Sequence, residues 1–218
     1  MNTDMVLYYK ARAEEYEKIY SKPERQEDLK NATGLLQKLF TGKQVLEIAC
    51  GTGYWTERIA ASAVSVFATD INETVIEVAK RKDLPNGKVS FGLADIYNFP
   101  HSNTYESLFG GFIWSHIKLQ EIDKFLLTVN RLVRAGGAVV FMDNTFIEGS
   151  SHPIAYTDEQ GNSFQKRKLD DGTTHLILKN FPTELFLRNK LKDIAAEINV
   201  FYLTYYWILY CTTKTDKQ

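Results

Sequence analysis

The sequence predicts an α/β domain: a mainly parallel β-sheet with helices on both faces. Three observations carry this. Short apolar runs recur at 44–49, 65–69, 89–93, 107–113 and 138–142. Between them, apolar residues fall at helical spacing, as in Val75, Ile76, Val78 and Ala79, then Leu119, Ile122, Leu126, Val129, Leu132 and Val133. Strands that alternate with helices of this length belong to parallel sheets buried on both sides. The first run also passes directly into a glycine-rich turn, Cys50-Gly51-Thr52-Gly53.

The elements follow in order. Residues 5–20 and 24–40 read as two helices separated at Ser21-Lys22-Pro23. Ser21 is placed as N-cap of the second, with Pro23 in its first turn and Glu24 three residues on. Strand and helix then alternate from Thr41-Gly42 to Asn144. Beyond Asn144, runs at 163–169 and 173–179 flank Asp170-Asp171-Gly172, the signature of a β-hairpin. A helix from about Pro182 to 196 and two aromatic runs, 198–203 and 205–212, close the chain. The hairpin is too short to own a core. One domain is therefore expected: a helical N-terminal cap (1–41), a core (42–144), a hairpin insertion (145–181) and a closing helix with strands (182–218).

Composition limits the function classes. With 218 residues, 44% hydrophobic and 24% charged, the chain can bury a core without disulfides. Its 26 Lys and Arg against 27 Asp and Glu leave net −1, so no global field draws nucleic acid or anionic membrane. Cys50 and Cys211 lie too far apart in sequence to suggest a disulfide framework. The charged N-terminus is no signal peptide, and the apolar stretch 200–211 falls short of the ~20 residues that span a bilayer. A cytoplasmic protein without nucleic-acid or membrane partners is expected, as monomer or homodimer.

The chemistry begins at 45–53, Val-Leu-Glu-Ile-Ala-Cys-Gly-Thr-Gly. Glycines between a strand and a helix let a ligand approach the backbone closely. Asp70 ends the next strand, seventeen positions after Gly53, where a carboxylate can accept both hydroxyls of a ribose. The plain alternative is a tight turn plus a helix-capping acid. A dinucleotide site wants G-x-G-x-x-G, but Ala49 and Thr56 stand at two of its positions, and no P-loop motif is present. Glu47 would repel a pyrophosphate and suits a cationic ligand instead. The ligand implied is cationic and bears adenosine.

These residues resemble the class I S-adenosylmethionine-dependent methyltransferases. The stretch 45–53 is similar to that family's first motif and Ala68-Thr69-Asp70-Ile71 to its second. Gly92-Leu93-Ala94-Asp95-Ile96 is similar to the third, and 105–116 to the fourth strand and its loop. Residues 131–137 resemble the turn before the fifth strand, with Ala135 where the family has proline. The resemblance spans about 8–209. It implies a Rossmann-like sheet of seven strands with the last antiparallel, and S-adenosylmethionine as cofactor. It places Tyr16, Glu47, Ala49, Gly51, Gly53, Asp70, Ile71, Asp95, Ile96 and Gly111 around that cofactor. Asp70 would hold the ribose, Ile71 pack on adenine, and Asp95 and the Ile96 amide read the adenine edge.

Methyl transfer from a sulfonium needs mainly positioning, although a hydroxyl acceptor gains from a base. His116, after the fourth strand, is the candidate base; the alternative is a histidine bonded to backbone. His101, His152 and His175 are assigned no role. Of the stripe Tyr8, Tyr9, Arg12, Tyr16 and Tyr20, Tyr16 best fits the family pattern; core packing is the alternative for all. Asp143-Asn144 looks like the metal pair of catechol-type enzymes, but an acid after the fourth strand is missing, so no metal is expected. The pair could line an acceptor pocket instead. Lys166-Arg167-Lys168 on the hairpin reads as a substrate lid or a solvated face, and Trp55, Trp114, Tyr156 and Phe164 as pocket or core. The expected partner is a small-molecule methyl acceptor; a protein or RNA methyltransferase and a non-catalytic binder of the same fold are the alternatives.

Overall fold

The computed structural model describes residues 3–99 and 104–215. His101 lies outside them. Seven strands form the central sheet: β1 (Gln44–Ile48), β2 (Ser65–Asp70), β3 (Val89–Leu93), β4 (Tyr105–Gly111), β5 (Val133–Asn144), β9 (Ala195–Tyr202) and β10 (Tyr206–Thr213). Their order is β3-β2-β1-β4-β5-β10-β9. The neighbours from β3 to β5 pair in parallel, and β10 runs antiparallel to both β5 and β9. The sheet is thus seven-stranded with the chain's last strand reversed, as the resemblance implies. Strand order turns around between β1 and β4, and a crevice opens at their carboxyl ends.

Alternation along each strand builds two cores. Leu46, Ile48, Leu108, Phe141, Trp207 and Leu209 point to one face, with α5 (Ile122–Leu132) and α6 (Glu184–Leu191). Val45, Val66, Phe109, Val140, Tyr206 and Ile208 point to the other, with α2 (Gln26–Phe40) and α3 (Tyr54–Ala60). Period-two side-chain placement does this without further instruction. Helix α4 (Glu73–Lys80) follows β2, its N-cap Asn72 accepting from the Thr74 amide at 3.1 Å.

Several boundaries differ from the sequence reading. The opening segment is α1 (Thr3–Ala11) followed by a 3₁₀ turn, Ala13–Ser21, rather than one helix. Tertiary contacts hold the turn: Tyr20 stacks on Tyr54 at 3.7 Å, and the Glu17 carboxylate accepts from the Thr52 hydroxyl at 2.8 Å and pairs with Lys82 at 2.9 Å. Ser21 caps nothing. Residues Pro23–Arg25 form a second 3₁₀ turn, and the Gln26 side-chain Nε2 donates back to the Tyr20 and Lys22 carbonyls. Strand β5 begins at Val133 and draws in the expected turn; Gly136 kinks it at φ 69°. Helix α6 stops at Leu191, because 195–202 pairs with β10 and strand pairing outweighs helical spacing there.

The expected hairpin is a three-stranded antiparallel sheet, β6 (Ile154–Thr157), β7 (Ser163–Lys168) and β8 (Thr174–Leu178). Met5 and Tyr8 of α1 pack on Ile177 of β8 and on Leu169, which follows β7. The N-terminal segment thereby bridges the small sheet and the crevice.

Candidate functional site

The loop after β1 has an unusual backbone. Ala49, Gly51 and Gly53 all take left-handed φ, at 53°, 55° and 78°. The Cys50 amide donates to the Thr69 carbonyl at 2.9 Å, pinning the loop to β2. At Gly51 nothing lies within 4 Å of where a Cβ would stand, so that side of the loop is open to a ligand. Gly53 differs: a Cβ there would lie 2.9 Å from the Ala79 Cβ. Its role is to seat the loop against α4, the packing duty a third glycine serves in dinucleotide folds. Gly53 is therefore not part of the cavity wall.

Asp70 accepts from the Gly51 amide at 3.0 Å and the Asn72 amide at 2.9 Å. Each of its oxygens keeps a lone pair for another donor. Burial raises its pKa, against the pull of those amides. The cavity beside it holds about 920 Å³, counting its open mouth. Ala49, Gly51, Asp70, Ile71, Ile96 and Gly111 line it, and Tyr9 and Tyr16 close it from the N-terminal segment. The Asn72 side-chain amide donates to the Val6 carbonyl at 3.2 Å and ties that roof down.

Two expected residues stand elsewhere. The Asp95 carboxylate faces its own turn, accepting from the Tyr97 amide at 3.0 Å and the Asn98 side chain at 2.8 Å. It caps the 3₁₀ turn Ile96–Asn98 and does not line the cavity. Glu47 lies under the loop, 2% exposed, and borders a smaller cavity walled by Tyr16, Tyr20, Tyr54, Trp55 and Phe112. Burial pushes its pKa up to about 8; the Thr56 hydroxyl opposes this and the Asp70 charge adds to it. Its Oε2 has no hydrogen-bond partner. A buried carboxylate in an aromatic box is short of a cation.

His116 has both ring nitrogens engaged. Nδ1 lies 2.6 Å from the Leu178 carbonyl and Nε2 2.8 Å from the Tyr9 hydroxyl. A carbonyl only accepts, so Nδ1 carries the proton and Nε2 accepts from Tyr9. Burial first, then the Lys179 charge, lowers its pKa to about 3. This is the hydrogen-bonding of the plain alternative, a histidine bonded to backbone. Asp143 is equally committed. Buried, it pairs with Lys179 at 2.7 Å and accepts from the Ser115 amide at 2.9 Å. Lys179 and the buried donors hold its pKa low against the effect of burial.

A second cavity of about 650 Å³ adjoins the first, sharing Tyr9, Tyr16, Phe112 and His116 with it. Asn144 lines it, and so do Arg12, Lys22, Arg25, Arg167 and Lys179. This basic wall was not foreseen. Alternation in β7 turns Arg167 inward while Lys166 and Lys168 face solvent, and nothing in the basic triplet itself says which residue goes in. Among the aromatics, Trp55 borders the small cavity, Trp114 is core, and Tyr156 stacks on Phe164 with 45% of Tyr156 exposed.

Residues 45–137 match the family model of a methyltransferase domain. An uncharacterised methyltransferase of Bacillus cytotoxicus is 23% identical over 161 residues, covering 74% of this chain and 70% of that protein. Phosphoethanolamine N-methyltransferase 1 of Zea mays is 28% identical over 110 residues, 49% of this chain but 22% of its own length. A DhpI–SAH complex superposes with a TM-score of 0.80 at 25% identity, covering 97% of this chain and 96% of the other. A DhpI–SAM–HEP complex gives 0.76 at 26%, with 95% of each covered. The domain match and the similar proteins, together with the crevice at the β1–β4 reversal, make this chain a methyltransferase. Residues 45–137 carry the match to the methyltransferase domain, and the likeness of the whole chain to the complexes with SAH and SAM supports S-adenosylmethionine as its cofactor. Among the described residues, no helix is long and apolar enough to cross a membrane.

Proposed function

We propose that this enzyme methylates a small molecule seated in the second cavity, with the cofactor in the first. The single observation behind this reading is that the cavities share one wall, Tyr9, Tyr16, Phe112 and His116. A methyl donor on one side and an acceptor on the other then meet in line, and such positioning supplies most of the catalysis.

The residues fit the cofactor. Asp70 takes the ribose hydroxyls on its free lone pairs. Ile71 and Ile96 sandwich the adenine, and Ala49, Gly51 and Gly111 let the chain come close. Glu47 and the aromatic box answer the ammonium of the methionyl end, whose charge returns the carboxylate to its ionised form. Tyr16 closes the cavity over it. Asp95 acts by holding the turn that carries Ile96.

No group on the shared wall is a strong base at neutral pH. His116 is nearly neutral throughout, and burial raises the pKa of Tyr9 well above its ordinary value. The acceptor therefore arrives nucleophilic, as an anionic oxygen or a neutral amine. His116 and Tyr9 position rather than deprotonate. The named acceptor of the maize relative, phosphoethanolamine, is likewise a small molecule. The test is product formation from a metabolite panel with labelled S-adenosylmethionine. Methylation of a small compound supports the reading. Cofactor binding with turnover only on a protein or RNA sample would refute it.

A further inference from the structure

We infer that the second cavity is a seat for a phosphoryl-type oxyanion, so that the methyl acceptor, taken as the occupant of that cavity in the reading above, carries such a group. The cavity wall holds five cationic side chains, Arg12, Lys22, Arg25, Arg167 and Lys179, and no carboxylate. Lys179 is neutralised by Asp143 at 2.7 Å. Lys22 reaches Glu24 only at 3.9 Å, both half-exposed. Among the described residues Arg12, Arg25 and Arg167 enter no ion pair.

Each guanidinium is oriented by a neutral group and keeps donors in hand. Arg12 donates to the Tyr8 hydroxyl at 2.9 Å, Arg25 to the Ser150 hydroxyl at 3.1 Å and Arg167 to the Gln165 side-chain carbonyl at 2.8 Å. A guanidinium has five N–H donors, and here the Nε of both Arg25 and Arg167 is buried without a partner. Unspent buried donors are costly unless a ligand takes them up. The three arginines come from the segment after α1, the turn before α2, and β7, so they approach one space from three sides. His152 records their convergence: burial and then the charges of Arg167, Arg12, Lys22 and Arg25 all lower its pKa.

Shape selects the anion. One bidentate arginine satisfies a planar carboxylate. Three guanidiniums from three directions match the three oxygens of a tetrahedral head, and a dianion offsets more of their charge. Such an oxyanion also needs no base, in keeping with the neutral His116.

The experiment is titration calorimetry on the full chain, with inorganic phosphate as probe and acetate as control, without and with S-adenosylhomocysteine. Phosphate binds, acetate binds at least tenfold more weakly, and Arg167→Gln and Arg25→Gln each weaken phosphate about tenfold or more. S-adenosylhomocysteine affinity stays within about twofold in both variants. The two arginines lie on different elements, so if one variant misfolds the other still decides. No phosphate binding, equal binding of acetate, or unchanged phosphate affinity in the folded variants overturns the inference. Phosphate binding as expected with no S-adenosylhomocysteine binding would uphold the anion seat and refute the placement of the cofactor.

Discussion

Replacing His116 by asparagine should flatten the acid limb of the stability curve. In the native protein Nδ1–H donates to Leu178 and Nε2 accepts from Tyr9. A second proton would set a donor against a hydroxyl and add positive charge near Lys179. These effects lower the pKa to about 3, whereas the unfolded chain holds an ordinary histidine near 6.5. Between those values the unfolded state carries a proton the native state lacks, so stability falls as pH falls. One such proton is worth about 1.4 kcal/mol per pH unit, or roughly 2 kcal/mol from pH 6.5 to 5. Asparagine keeps a donor for Leu178 and does not titrate. His152, also lowered, contributes equally to both proteins and cancels. Urea unfolding at several pH values from about 7 to 5 reads the two slopes. The wild-type slope should exceed the variant's by about one proton. Equal slopes would show that His116 protonates in the folded protein. A rate limb near pH 6.5 that vanishes in the variant would restore it as the base.

Asp70→Ala should weaken S-adenosylhomocysteine by about 10- to 150-fold, the equivalent of losing roughly 1.5–3 kcal/mol of charged hydrogen bonding; calorimetry checks it, and an unchanged affinity would leave Asp70 a cap. Gly53→Ala combines a left-handed φ with a Cβ 2.9 Å from Ala79, so urea midpoints should report a loss of roughly 2–5 kcal/mol, while the folded fraction binds cofactor normally. Lys179→Met strands Asp143 as a buried charge and should cost about 3–5 kcal/mol at neutral pH. Because Lys179 holds Asp143 below its unfolded pKa, that stabilisation is present above about pH 4 and fades as pH falls further, so the variant's deficit should shrink in acid. Pairing Lys179→Met with Asp143→Leu should recover much of the loss.

The parallel core was legible because period-two and helical patterns do not depend on distant partners. The glycine turn and Asp70 were legible for the same reason, being set by local backbone. What escaped depended on contacts across the chain. The break at Arg12 arises from Glu17 meeting Thr52 and Lys82, and the end of α6 from pairing with β10. Glu47 and Gly53 sit in the expected motif, yet each does something its position alone does not declare. The basic wall was hidden most completely. Arg12, Arg25 and Arg167 are far apart in sequence, and the inward turn of Arg167 follows from where β7 packs. Alternation puts Arg167 on the face opposite Lys166 and Lys168, but which of the two faces is the inner one is decided by the packing of β7.

The most direct test is a crystal structure with S-adenosylhomocysteine bound. The ribose hydroxyls should lie on Asp70, the adenine between Ile71 and Ile96, the methionyl ammonium toward Glu47, and the sulfur at the wall shared by the two cavities. A complex with the sulfur turned away from Tyr9, Tyr16, Phe112 and His116, or with the ribose off Asp70, would contradict this arrangement.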